Sequence, residues 1–121
     1  MASLSNAVFD SGLSTLTTNG TRIDICTTEP TTYAEATSTY SLGNGSITTA
    51  SPTDRAGGGR EVIVGAVTDA AVTVTGTASF YAITNGSNTL YATGSLSTTQ
   101  SVANGNTFSL GSFSIGIPDP A

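Results

Sequence analysis

Histidine, lysine and tryptophan are absent from this chain, and cysteine and methionine occur once each. Charged residues make up 9% of the 121 positions, well under the usual quarter or so. Each absence excludes something. Without histidine there is no side chain whose ordinary pKa lies near neutrality. That removes the commonest general base, the commonest metal ligand and the usual pH switch. With Cys26 alone, no intrachain disulfide forms, and stability must rest on packing or on partners. The cations are Arg22, Arg55 and Arg60, set against eight carboxylates for a net charge of −5. Such a balance cannot neutralise many phosphates, so nucleic acid and anionic membranes are poor partners. No run approaches the roughly 20 apolar residues of a membrane span. The opening MASLSNAVFDSG is neither basic nor continuously apolar, unlike a secretory leader. A soluble protein made in a cytoplasm is expected.

Threonine, serine, glycine and asparagine fill the space left by charge, and 37% of residues are hydrophobic. Low charge disfavours long helices, whose surfaces need Glu, Lys and Arg. Abundant Thr with Val, Ile, Tyr and Phe favours strands. The length fits one domain, divided into an N-terminal helical segment or arm at 1–20 and a β domain at 21–121. In the first part, Phe9, Leu13 and Leu16 share a helix face. Ser5 is placed to cap the start, and Asn19-Gly20 to end the helix through left-handed dihedrals. Arg22–Cys26 alternates, with Ile23 and Ile25 inward and Cys26 in the opposite phase. Thr32-Tyr33-Ala34-Glu35 has capping-box spacing and predicts a helical turn. Ser38–Gly45 reads as loop, 46–50 as a short strand, and 51–59 as a flexible loop with Pro52 and three glycines.

Further on, Glu61–Val67 reads as a strand and Asp69 as a turn. From Val72 the positions Val72, Val74, Ala78, Phe80 and Ala82 alternate with Thr and Ser, giving the clearest half-buried strand. Asn85-Gly86 and Asn104-Gly105 predict hairpin turns. The phase change at Gly111-Ser112 predicts a β-bulge, and Pro118 and Pro120 end the last strand. About seven or eight short strands at such spacing predict a mainly β fold, an antiparallel β-sandwich or jelly roll.

Chemistry is hard to find in this pattern. Serines and threonines are many, but no His or Lys stands ready to activate them. Glu29 and Glu35 form a conceivable glycosidase pair, although Glu35 is better explained as a capping residue. Cys26 reads as a small buried hydrophobe. Gly57-Gly58-Gly59-Arg60 lacks the GK[ST] end and the following helix of a phosphate-binding loop. Asparagine sequons at 19, 44 and 85 read as turns. Asp54, Asp69 and Asp119 lack the spacing of a Ca²⁺ loop. No catalytic residue, metal or cofactor is expected, and the chain reads as a non-enzyme.

Two stretches carry a resemblance: RIDICTTEPTTYAEATSTYSLGN, and GTASFYAITNGSNTLYATGSLSTTQSVANGNTFSLGSFSIGIPDP. Together with the Gly57–Arg60 loop they resemble a family of small virion proteins of tailed bacteriophages, described as structural, head decoration or tail-fibre-like. The resemblance covers most of the chain beyond residue 20 and consists of loops and turns, so it supplies no catalytic residues. It implies a virion component, and the acidic charge places that component facing outward, on the outer capsid surface first and in the tail as the alternative.

The expected function is therefore a head decoration (cement) protein. It would bind the major capsid protein as a homo-oligomer, with a trimer favoured. The alternatives are a tail fibre or adaptor subunit, and a carbohydrate-binding adhesin module. Tyr33 and Tyr40 are the expected contact anchors, because tyrosine buries much area at small entropy loss. Phe9 and Leu13 are expected either to dock an arm on a neighbour or to close an open end of the sandwich. Tyr81 and Tyr91 fall out of phase with the apolar positions of their strands. They are read as aromatics of the outer sheet face, serving a subunit contact or a glycan.

Overall fold

A computed structural model describes residues 5–117. Helix α1 (Asn6–Asn19) buries Phe9, Leu13 and Leu16, the face set by their spacing. Ser5 occupies the cap position but lends no side-chain bond; its carbonyl accepts the Val8 N–H at 3.0 Å. The helix ends where the Gly20 N–H donates to the Leu16 carbonyl at 2.8 Å. The expected left-handed exit is not used, since φ at Gly20 is −78°. Glycine is needed there for space. A Cβ would lie 2.7 Å from the Leu16 carbonyl oxygen and 3.0 Å from the Ile83 side chain.

Among the described residues nine strands follow: β1 (Arg22–Cys26), β2 (Ser41–Ser46), β3 (Thr53–Asp54), β4 (Arg60–Val64), β5 (Val67–Val72), β6 (Gly76–Thr84), β7 (Leu90–Val102), β8 (Thr107–Leu110) and β9 (Phe113–Ile117). Six of them form a curled antiparallel sheet in the order β7-β6-β1-β2-β5-β8, and three form a second sheet in the order β3-β4-β9. The fold is mainly β, as expected, with the two sheets laid out as a β-sandwich. The main core lies between them. Ile23, Ile25, Leu42, Val72 and Ile83 come from the large sheet, Val62 and Val64 from the small one, and Leu13 and Leu16 from α1. Each such side chain contributes about 1.5–3 kcal/mol on burial. Leu13 and Leu16 of the helix thus lie in the same core as the strands. Phe9 and Leu13 are 2% and 3% exposed; they belong to the interior and do not form an outer contact.

Several local expectations change. The stretch read as loop at 38–45 contains most of β2, with Asn44-Gly45 inside the strand and not in a turn. Gly43 and Gly45 let β5 approach: added Cβ atoms would meet the Ala71 carbonyl oxygen at 2.4 Å and the Ala70 Cβ at 2.8 Å. The expected strand 61–67 is two strands in different sheets, broken at Gly65-Ala66. Asp69 lies within β5, with φ of 53° at the bulge between Val67 and Ala70; a short polar side chain tolerates that left-handed conformation. The long alternation from Val72 is broken before β6, and Val74 is 49% exposed. Asn104-Gly105 is a turn, but β7 and β8 do not pair across it; they are the two edges of the large sheet. At Gly111-Ser112 the chain leaves one sheet for the other, so the phase change is a crossing and not a bulge. Pro118 and Pro120 lie outside the described residues.

Candidate contact surface

Strand β1 is buried on both faces. Ile23 and Ile25 enter the main core, and Cys26 belongs to a second cluster with Ala36 and Ala82, as its phase predicts. That second cluster exists because the stretch after β1 folds back over the outer face of the sheet. Thr32 begins the fold-back: its Oγ1 accepts the Glu35 N–H at 3.2 Å. The reciprocal half of the expected capping box is displaced by one residue. Glu35 Oε1 accepts the Thr31 N–H and the Thr31 hydroxyl, each at 2.8 Å. These bonds hold the Glu35 carboxyl below its ordinary pKa. A π-helical turn, Glu35–Thr39, follows and places Ala36 against Cys26. The Cys26 thiol points at the Ala36 carbonyl at 3.6 Å. Burial, with Asp24 nearby, pushes the thiol up to about 12. Cys26 is therefore a packed, unreactive side chain.

Asp24 shares this covered face and is fully buried. Arg22 grips it through two bonds, at 2.8 and 3.0 Å, and the Ser41 hydroxyl donates to it at 2.7 Å. The hydrogen bond to Asp24 raises the Arg22 pKa. Both carboxylate oxygens are engaged, so the group holds β1 and β2 together and has no free lone pair aimed at solvent. Arg60 plays a similar part on the other side of the molecule. It bonds Asp10 of α1 at 3.0 Å and Asp54 of β3 at 2.7 Å, and its third partner is the Pro52 carbonyl. The glycine loop before it adopts positive φ at Gly57, Gly58 and Gly59. Arg55 braces it through the Gly58 and Gly59 carbonyls. Glu29 meets the Thr93 hydroxyl at 3.4 Å, while Glu35 is committed to Thr31. Among the described residues no group of three metal-ligating side chains converges, and no helix is long and apolar enough to cross a membrane.

Tyr33 and Tyr40 are both half-buried on the folded-back stretch. Tyr40 packs with Phe80 and Leu90 on the second cluster, and Tyr33 lies near Arg22, adding to its raised pKa. They frame the turn, each with part of its ring surface facing outward. Tyr81 and Tyr91 differ from expectation. Both pack against the main core, and Tyr81 stands opposite Ile25 and Gly94 across the sheet. Phase failed here because Ala78 joins the main core while Phe80 and Ala82 join the second cluster. The strand changes which parity faces inward where its pairing with β7 shifts, between Ala78 and Phe80. The Tyr81 ring crosses Gly94 and meets Phe113 with centroids 4.6 Å apart. Beside this pair a groove of about 530 Å³ opens between β7 and the β8–β9 crossing.

Residues 70–118, which hold β6 to β9, contain no Asp, Glu, Lys, Arg or His. Seven of the eight acids and all three arginines precede them. The signal lies in the spacing of charges along the chain and not in any local pattern. No protein-family model, curated protein or solved structure matches this chain.

Proposed function

We propose that this chain is a structural protein of a tailed-phage virion, a head decoration protein bound to the outer capsid surface. The observation that carries the reading is the charge-free stretch of sequence at 70–118. It is displayed on strands whose positions are fixed by a packed core. Neutral hydroxyl and amide groups lose less on desolvation than charges do, and charge-poor surface suits the centre of a protein contact. The ionisable groups best placed for chemistry already have partners within the chain: Asp24 with Arg22 and Ser41, Glu35 with Thr31, and Arg60 with Asp10 and Asp54. The resemblance of the loops to small virion proteins points the same way. In this role the net negative charge favours the outside of the shell over the packaged DNA. Reinforcement comes from many copies, each burying non-covalent contacts with the major capsid protein across subunit boundaries. Tyr33 and Tyr40 are the proposed anchors.

Quantitative mass spectrometry of purified particles tests the reading. Copies on the order of hundreds per particle fit a capsid lattice. A handful of copies moves the protein to the tail or its fibres, and complete absence removes it from the virion.

A further inference from the structure

The groove beside Tyr81 is built from an interruption of the large sheet. On β6, Ala78 stands opposite Gln100 and Phe80 opposite Ser95. The residues of β7 between them, Leu96–Thr99, are therefore more than β6 can pair, and they arch out of the ladder. Large bulges of this kind re-aim side chains and leave backbone N–H and C=O groups without ladder partners. Here the arch forms one wall of the groove, and the opposite wall is the crossing from β8 to β9. Leu96, Leu110 and the Tyr81–Phe113 pair supply apolar surface. Ser97, Thr98, Gln100 and Ser112 supply hydroxyl and amide groups. No lining residue carries a charge at neutral pH.

This composition selects a ligand class. Without a charge in the groove, nothing offsets the desolvation of an ionic ligand. A purely apolar ligand would leave the hydroxyls and the Gln100 amide of the lining unpaired. An extended peptide adding to a sheet edge needs a regular row of backbone partners, and the arch breaks that row. A neutral polyhydroxylated molecule meets all three conditions. Its C–H faces lie against aromatic and leucine surface, and its hydroxyls pair with the Ser and Thr hydroxyls and the Gln100 amide. The volume lies within the ~300–1,000 Å³ of small-molecule sites. We infer that the groove between the Leu96–Thr99 arch and the β8–β9 crossing is a binding site for a neutral saccharide. The inference does not depend on where the protein resides, and it stands or falls separately from the capsid reading.

The test uses the full chain, uniformly ¹⁵N-labelled, titrated with neutral di- and trisaccharides built from glucose, galactose and N-acetylglucosamine. Sialylated and sulfated analogues serve as the charged comparison. The expected result is saturable shifts confined to residues 95–100 and 110–114, with neutral sugars binding more tightly than their charged analogues. Ser97→Ala and Gln100→Ala alter rim side chains that do not enter the core, and each is expected to weaken binding roughly tenfold. Unchanged amide spectra elsewhere will show that both variants remain folded. The inference is overturned if no sugar on the panel shifts these residues up to its solubility limit. It is equally overturned if shifts map to another face, if charged analogues bind more tightly, or if both variants bind as the parent does. Selective binding of a neutral Ser/Thr-rich decapeptide at these residues, without any sugar, would also reject the saccharide class.

Discussion

Asp24 shows how one residue decides more than its type suggests. It sits in a strand that reads as polar–apolar alternation, yet its face is as buried as the face of Ile23 and Ile25. A carboxylate buried this way persists because Arg22 and Ser41 satisfy it. Asp24→Ala leaves the guanidinium and the hydroxyl without their partner, and the expected loss is about 2–3 kcal/mol in urea unfolding. The lower part of the buried-pair range applies because Arg22 is 29% exposed. Cys26, two residues on, gives a second expectation. Its thiol is fully buried and its pKa is raised to about 12, so native protein at pH 8 should resist iodoacetamide while urea-unfolded protein reacts. The phase of Cys26 relative to Ile23 and Ile25 was legible in the sequence. The burial of Asp24 was not, because a covering segment from later in the chain creates it.

At the scale of the element, β2 and the π-helical turn are the instructive pair. SLGNGS has the composition of a loop, since local propensity weighs glycine and asparagine against strands. It is a strand because β1 and β5 flank it and because only glycine fits against β5 at residue 43. Gly43→Ala should therefore cost about 1–3 kcal/mol in thermal unfolding. Gly111→Ala, where nothing lies within 4 Å of the added carbon, should stay within about 0.5 kcal/mol. The turn was legible from its T-x-x-E spacing, and Thr32 does accept the bond that spacing predicts. What escaped was the one-residue displacement of the return bond to Thr31. That bond gives the element a pH dependence. A carboxyl with a lowered folded pKa contributes stability above its unfolded value and loses it as pH falls through the folded one. Stability should decline below the ordinary glutamate value of 4.5. Glu35→Gln should remove that part of the acid limb in a pH series of melting temperatures.

At the scale of the whole molecule, Tyr33 and Tyr40 look alike in sequence but differ in what they cover. Tyr33→Ala is expected to leave the melting temperature near that of the parent while weakening attachment to purified particles about tenfold or more. Tyr40→Ala should lower both, because Tyr40 also covers the second cluster. Sedimentation of each variant with particles checks this, and unchanged attachment by both removes the folded-back stretch from the contact. The β class, the helix face of Phe9, Leu13 and Leu16, and the turns at Asn85 and Asn104 follow from local periodicity and from what glycine and asparagine permit. The charge-free stretch at 70–118 is likewise a property of order along the chain. Long-range packing alone makes the helix face close the core, turns Tyr81 inward, and sets β7 and β8 apart as edges with a groove between them. Those outcomes depend on which strands pair, and pairing joins segments far apart in sequence whose registers no local pattern contains.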